Sequence, residues 1–294
     1  MSVAAVLTGQ DKDLGGGFTV RRLLPSAQRQ SVGPFVFFDH FGPVAVEPGV
    51  RHDVRPHPHI GLATVTYLFE GAIMHRDSLG SVQRIEPGAI NWMTAGSGIV
   101  HSERGPEDLR AARYVNHGLQ LWAALPQAFE ETPAAFVHTP SADIPQIAVG
   151  GASVRVLVGT AFGRESPVRA FSPTLYLDVR LAAGASVELA PLAEERAVYA
   201  VDRDLQIDAR TIAAHSLAVL EPGRTVTVRS TGAARLVVIG GAALDAPRTI
   251  WWNFVSSQKD RIARAALDWE QQRMGRVAGD AEFIPLPDKR FPGS

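Results

Sequence analysis

The chain contains no cysteine. Disulfide bonds, cysteine-ligated zinc sites and thiol chemistry are therefore excluded, and any metal ion must be held by histidine, carboxylate or other oxygen ligands. No apolar run approaches the roughly 20 residues that a membrane-spanning helix needs, which argues against a membrane partner. The first residues, MSVAAVLTGQ, lack the basic and apolar regions of a secretory signal. We therefore expect a cytoplasmic protein.

An excess of charge of one sign is also missing. The chain has 29 Lys and Arg against 30 Asp and Glu, for a net charge of -1 at pH 7. Sequence-independent binding to phosphates requires clustered basic side chains, so direct contact with nucleic acid is not expected. The 294 residues, 46% of them hydrophobic, are enough for two globular domains of ordinary composition.

Helix-length periodic segments are scarce, and short apolar segments broken by Gly, Pro, Asp and Asn dominate instead. Many of these segments alternate and are rich in Val, Ile, Leu and Thr, including residues 64–71, 118–125, 153–159, 174–181 and 234–241. This spacing predicts an all-β protein of antiparallel sandwiches or barrels, and it disfavours an alternating α/β fold.

Two segments near and after the middle of the chain depart from the strand pattern. The stretch 126–145 is spaced by prolines and weakly periodic, which predicts a connection between two β domains. Residues 256–274 have helical periodicity, with Ser256 or Ser257 as candidate N-caps. The apolar face of this predicted C-terminal α-helix consists of Ile262, Ala266 and Trp269.

Two short segments carry metal-ligand residue types at alternate positions. RPHPHIG contains His57 and His59, and GIVHSE contains His101 and Glu103. Residues i and i+2 of a strand face the same side of a sheet, so each pair projects together. Two such pairs on neighbouring strands predict a metal site of three imidazoles and one carboxylate inside a barrel.

Such a ligand set suits Fe(II), Mn(II), Ni(II) or Cu(II), and is related to the two-histidine, one-carboxylate set of non-heme iron oxygenases. An octahedral ion would keep about two positions open for water, oxygen or a substrate. Zn(II) also fits, and a closed tetrahedral zinc would only stabilise the fold. The residues alone leave both a catalytic and a structural metal open.

A further alternate pair, His75 and Asp77, lies in MHRDSLG. It fits either a hydrogen-bonded structural turn or a supporting role beside the metal ligands or a substrate. Asp39 and His40 in FFDHFGP fit the same two interpretations.

The sequence resembles the pirin family of the cupin superfamily. The matching strings are FFDHFGP, RPHPHIGLATVTYLFEG, NWMTAGSGIVHSE and HGLQLW, in that order, and WWNFVSS near the C-terminus. The His-x-His pair followed by Gly71 resembles the first cupin motif, and Gly98-x-x-His101 resembles the second.

The resemblance implies a bicupin, with two cupin-type β-barrel or jelly-roll domains and a C-terminal α-helix. We expect an N-terminal metal-binding domain at 1–135 and a C-terminal cupin-like domain at 136–294, which lacks metal ligands and carries the helix and tail. Between residues 150 and 245 the only histidine is His215, in agreement with this expectation.

The resemblance also implies one divalent ion, Fe(II) in the first instance, at the positions matching His57, His59, His101 and Glu103. It implies a quercetin 2,3-dioxygenase type of activity, with a small aromatic or flavonoid substrate, O2, and Glu103 as the catalytic base. The alternative is an iron-dependent or redox-dependent regulatory adaptor that binds a protein partner. Many relatives carry a glutamate where this chain has Ala63, so Glu103 is expected to be the principal carboxylate of the site.

Overall fold

A computed structural model describes residues 2–13 and 19–292. Strands make up 50% of the structure. The chain divides into two compact units, each assembled from separate stretches of sequence. Unit 1 comprises the described residues of 1–11, 21–39 and 139–244, and unit 2 comprises those of 12–20, 40–138 and 245–294.

The described residues in the first half of the chain form twelve strands: β1 (Val3–Thr8), β2 (Gln10–Asp13), β3 (Thr19–Leu24), β4 (Phe35–Val46), β5 (Val54–His59), β6 (Leu62–Glu70), β7 (Ile73–Asp77), β8 (Val82–Ile85), β9 (Ile90–Thr94), β10 (Ile99–Arg104), β11 (Tyr114–Ala124) and β12 (Ala135–Thr139). The second half contains strands β13 (Gln146–Val149), β14 (Ala152–Val158), β15 (Thr160–Ala161), β16 (Arg164–Glu165), β17 (Thr174–Leu181), β18 (Ser186–Leu189), β19 (Glu195–Ala200), β20 (Leu205–Ile207), β21 (Arg210–Ile212), β22 (Ser216–Leu220), β23 (Val226–Arg229), β24 (Ala234–Gly241), β25 (Thr249–Trp251) and β26 (Phe254–Ser256), and the α-helix α1 (Lys259–Glu270).

Unit 1 contains a seven-stranded sheet of order β1-β22-β19-β24-β17-β14-β13 and a four-stranded sheet of order β18-β23-β20-β21. Their ladders are antiparallel. Alternate side chains of these strands fill a continuous aliphatic core, which includes Val156, Leu177, Val198, Leu205 and Val238. The period of two in the sequence places these side chains on the inner face.

Unit 2 contains a four-stranded sheet of order β5-β10-β7-β8 and the strands β12-β9-β6-β11-β4 of a larger sheet. That larger sheet continues into β3 and β2, and the strands β2, β3 and β4 each contain residues of both units. The predicted all-β, cupin-type fold with a C-terminal helix is confirmed. Within the predicted connection at 126–145, residues 135–139 form the strand β12.

The helix α1 is shorter than predicted and starts at Lys259. Ile262, Ala266 and Trp269 are buried on one face, as predicted, together with Ala265. The predicted serine cap is wrong: Gln258 is the N-cap residue and provides no side-chain cap. Both candidate serines instead donate their hydroxyl groups to the buried carboxylate of Glu130.

The two units change over between residues 138 and 139, near the predicted domain boundary at 135/136. Residues of 1–11 and 21–39 nevertheless belong to unit 1, because β1 forms a ladder with β22. The helix α1 belongs to unit 2, where it packs on Ile60 and Val100. The division at 135/136 into two cupin domains therefore stays a prediction.

No helix in the described part of the chain is long and apolar enough to cross a membrane.

Candidate metal centre

The predicted ligand pairs lie on two neighbouring strands of unit 2. The strands β5 and β10 are antiparallel, with His57 opposite His101 and with Ile99 opposite His59. His57 is 7% exposed, and His59 and His101 are each 1% exposed. Strand alternation turns both histidines of β5 to one face, as predicted.

Three histidines form one group whose candidate ligand atoms all lie within 4.8 Å of one another, and these are His57, His59 and His101. Their ring centroids are separated by 4.4 Å between His57 and His101, and by 5.0 and 5.1 Å for the other two pairs. The three imidazoles could therefore hold one metal ion.

Two of these rings have their tautomer fixed by main-chain carbonyl groups. His57 donates from Nδ1 to the carbonyl oxygen of Arg55 at 2.9 Å, and His59 donates from Nδ1 to that of Asn253 at 3.0 Å. A carbonyl oxygen can only accept, so the proton lies on Nδ1 and the Nε2 lone pair is free for a metal.

The third ring, His101, makes a different contact. Its Nδ1 lies 3.4 Å from Nδ1 of His75, and its buried Nε2 has no hydrogen-bond partner among the described residues. A buried nitrogen without a partner is costly in a metal-free site and suits an ion that accepts its lone pair. On this test the three histidines fit a divalent metal.

Burial keeps these imidazoles neutral. Desolvation lowers the pKa of His57 to about 4 and, together with the neighbouring histidines, lowers the pKa of His59 and of His101 well below the usual range. Metal binding requires neutral imidazole. The site is therefore ready for an ion at neutral pH without the loss of protons.

Glu103 lies two residues after His101 on β10, but it is not a member of the group of three histidines. The pairing of β10 with β5 shifts register between His101 and Glu103. Burial raises the pKa of Glu103, and this outweighs the opposing effects of His75 and of a hydrogen bond with Thr66. A fourth ligand at Glu103 stays a prediction.

Two polar side chains that the sequence did not single out lie next to this carboxylate. The hydroxyl group of Thr66 is 3.3 Å from Oε1 of Glu103 and 2.8 Å from Oε1 of Gln120. Thr66 and Gln120 are cross-strand partners on β6 and β11. Only the pairing of two strands that are far apart in sequence reveals them.

The contact of Thr66 with Glu103 identifies the face of β6 that is turned towards the site. Trp122, the partner of Thr64, shares this face and lies edge-on to His59, with 5.1 Å between ring centroids. The register of β6 with β11 is regular from Leu62 to Leu68, so Ala63 lies on the opposite face. A side chain at position 63 therefore points away from Glu103.

His75 and Asp77 are both 2% exposed and belong to β7, which pairs with β10. Nε2 of His75 lies 3.0 Å from Oδ2 of Asp77. Oδ1 of Asp77 accepts from the main-chain N–H groups of Leu79 and Ser81 at 2.9 and 3.0 Å. Burial raises the pKa of Asp77, but the hydrogen bonds with His75 and Ser81 outweigh this effect and lower the pKa.

Segments from the C-terminal part of the chain hold the strands that carry the ligands. Ile60 forms a parallel bridge with Phe254, next to Asn253, whose carbonyl oxygen accepts the hydrogen bond of His59. The main-chain N–H of Ile284 donates to the carbonyl oxygen of Pro56 at 2.8 Å, and the guanidinium of Arg104 lies 2.7 Å from Asp280. These contacts are non-local, and no sequence motif indicated them.

Asp39 and His40 lie in the middle of β4 and not in a turn. Asp39 forms an ion pair with Arg22 at 2.8 Å. His40 lies with Nε2 at 2.8 Å from Nε2 of His117. Neither residue belongs to the group of three histidines.

Family models match both halves of the chain. The Pirin model matches residues 17–123, and a second model, described as the pirin C-terminal cupin domain, matches residues 176–275. A pirin-like protein of Caulobacter vibrioides is 46% identical over 96% of this chain and 99% of the relative. A candidate quercetin 2,3-dioxygenase of Pseudomonas aeruginosa is 39% identical over 94% of this chain and 84% of the relative.

A solved structure agrees with these relatives. The structure of a quercetin 2,3-dioxygenase from Acinetobacter baumannii is 33% identical and covers 97% of this chain and 96% of its own, with a TM-score of 0.87. With 46% identity to a pirin-like protein over almost its whole length, the chain belongs to the pirin family.

Proposed function

We propose that the chain is a metal-dependent oxygenase of the quercetin 2,3-dioxygenase type, which opens the ring of a flavonol with O2. One observation carries the proposal. Three neutral histidines converge with their Nε2 atoms available to a metal. Glu103, which follows His101 by two residues on β10, is buried, and burial raises its pKa. Relatives and a solved structure that are named quercetin 2,3-dioxygenases support the choice of substrate class.

His57, His59 and His101 would hold the ion, with Glu103 as the fourth ligand. Fe(II) is the proposed metal, and Mn, Ni, Cu and Zn are the alternatives. An Fe(II) ion bound there supplies Lewis-acid and one-electron chemistry towards O2 and the substrate hydroxyl group.

Glu103 is the proposed general base. Burial raises the pKa of Glu103 while it is not bound to a metal. Glu103 would therefore have to leave the ion to act as the base, and the released carboxylate would accept the proton of a flavonol hydroxyl group more readily than an exposed one. Thr66 can then hold the proton at Oε1 of Glu103. The Thr66 hydroxyl group has one proton, which it donates to Gln120 at 2.8 Å. Its oxygen then has a lone pair free to accept a hydrogen bond from protonated Glu103 at 3.3 Å.

The test is aerobic turnover of quercetin by the iron-loaded protein, followed by O2 uptake, loss of flavonol absorbance and release of carbon monoxide. We expect turnover by the wild type and none by the His57→Ala, His101→Ala double variant. His215→Asn is the control, since His215 lies in unit 1. Its backbone φ of 62° is one that Asn tolerates. Turnover that persists unchanged in the double variant would sink the proposal, as would an iron-loaded wild type without O2 uptake.

A further inference from the structure

The three histidines of the metal centre differ in what fixes their tautomer. For His57 and His59 the partner of Nδ1 is a carbonyl oxygen, which can only accept. For His101 the partner is Nδ1 of His75, and an imidazole nitrogen either donates or accepts. This contact alone therefore does not place the proton of His101.

The next contact along the chain of hydrogen bonds removes this ambiguity. Asp77 accepts two main-chain hydrogen bonds at Oδ1, from Leu79 and Ser81, and presents Oδ2 to Nε2 of His75 at 3.0 Å. A carboxylate only accepts, so His75 donates from Nε2. In neutral His75 the lone pair then lies on Nδ1, and the proton between the two rings belongs to Nδ1 of His101.

The surroundings hold this arrangement in place. Phe136 stacks on the ring of His75, with 4.1 Å between centroids and 10° between planes. His75, Asp77 and His101 are 2%, 2% and 1% exposed, so bulk water does not compete for their hydrogen bonds. The distance of 3.4 Å between Nδ1 of His101 and Nδ1 of His75 is long for a hydrogen bond. The fixed ring of His75 sets the direction of this contact.

We infer that Asp77 and His75 are positioning residues that lock His101 in the tautomer whose Nε2 lone pair binds the metal. This inference rests on the metal site of the proposed function and not on its substrate or reaction. Mutation of residues that hold a metal-bound histidine by a hydrogen bond commonly weakens metal affinity 10-fold to 100-fold.

Asp77→Asn is a sharp test because the side-chain amide has only one way to fit. The main-chain N–H groups of Leu79 and Ser81 hold Oδ1 in place, so Nδ2 faces His75 and donates to Nε2. His75 must then carry its proton on Nδ1, against the Nδ1–H of His101. His101 loses the Nδ1–H tautomer, in the same way that an Asp-to-Asn change in a serine-protease triad leaves the geometry intact and selects the wrong tautomer.

Two measurements read the outcome without any turnover. The ¹⁵N chemical shifts of the histidines in the metal-free protein report which nitrogen of His101 is protonated. Chelator competition with Co(II) reports metal affinity. We expect Nδ1–H for His101 in the wild type, loss of this state in Asp77→Asn, and a 10-fold to 100-fold weaker affinity for Co(II).

The control is Asp208→Asn in unit 1, where Oδ1 of Asp208 also accepts a main-chain N–H, from Thr227. It should leave both measurements unchanged. His75→Leu should weaken Co(II) binding as Asp77→Asn does. His75→Gln should restore affinity to within about threefold, because an amide both accepts from His101 and donates to Asp77.

The inference is overturned if wild-type His101 carries its proton on Nε2, or if Asp77→Asn leaves the tautomer and the Co(II) affinity unchanged. It is also overturned if the metal-free variants lose thermal stability in proportion to their loss of affinity, since that result indicates a general structural role. A failure of quercetin turnover leaves these outcomes unaffected and concerns the proposed function alone.

Discussion

The imidazole of His59 donates from Nδ1 to the main-chain carbonyl oxygen of Asn253 at 3.0 Å, across 194 positions of sequence. Asn253 lies directly before β26, whose first residue Phe254 forms a bridge with Ile60. A C-terminal hairpin therefore orients a metal ligand that is encoded near the start of the chain.

Glu130 holds this hairpin in place, and its removal should weaken both the fold and the metal site. Its buried carboxylate accepts hydrogen bonds from Ser256 and Ser257 and lies 2.8 Å from Nε of Arg248, which is 1% exposed. Glu130→Gln removes the buried one of the two carboxylates that pair with Arg248, and leaves Asp245, which is 45% exposed. We expect a loss of about 1–3 kcal/mol in the free energy of unfolding, because a buried charge-assisted contact is lost. Denaturant titration measures this loss, and metal binding should weaken with it.

Glu131→Gln is the matched control for this change. Glu131 pairs with Arg261 at 2.8 Å but is 57% exposed, and exposed pairs contribute at most about 1 kcal/mol. Equal losses in the two variants would contradict the role given to Glu130.

Glu103→Gln should separate proton transfer from metal binding. The amide keeps the size of the side chain but cannot act as a base, so we expect turnover of quercetin to fall about 10²-fold to 10⁴-fold. The three histidines remain, so the metal content after loading should stay near that of the wild type. Glu86→Gln, at an exposed position, is the control. Unchanged turnover in Glu103→Gln would show that another group accepts the proton.

The metal-free protein should lose stability as the pH falls from about 6.5 towards 4. Burial lowers the pKa of His57 to about 4 from its usual value of 6.5, so the unfolded chain takes up this proton at a higher pH than the folded chain does. The stability that depends on neutral His57 is therefore fully present above about pH 6.5 and is lost as the pH falls towards 4. One unit of pKa corresponds to about 1.4 kcal/mol, which gives a loss of roughly 3 kcal/mol.

Unfolding of the metal-free protein between pH 7 and pH 4 measures this loss, and His57→Gln should have a shallower pH dependence. A stability that is flat over this range, or the same slope in the variant, would rule out a buried neutral His57. Metal binding to the folded protein should weaken only as the pH approaches 4, where His57 begins to take up a proton.

Strand periodicity was enough to predict the all-β fold and the facing of one of the two ligand pairs. The alternation of β17 and β24 is visible in the sequence, and residues 174–181 and 234–241 were predicted with their observed bounds. The same period of two placed His57 and His59 on one face. These features depend on local sequence alone.

Features that depend on register and distant contacts could not be predicted. The shift in pairing between His101 and Glu103 has no signature in the sequence. The sequence places Ala63 where many relatives carry a glutamate, but the register of β6 turns this position to the face opposite Thr66. Ser256 and Ser257 were predicted to cap a helix, and the buried carboxylate of Glu130 binds them instead.

The most direct test of the metal centre is elemental analysis of the purified protein after loading with Fe(II) under anaerobic conditions. We expect close to one equivalent of a divalent ion in the wild type and in His215→Asn. The His57→Ala, His101→Ala double variant should bind none, with circular dichroism showing that it is still folded. A wild type that holds no ion after loading, or a folded double variant that keeps one equivalent, would contradict a metal site built on these histidines.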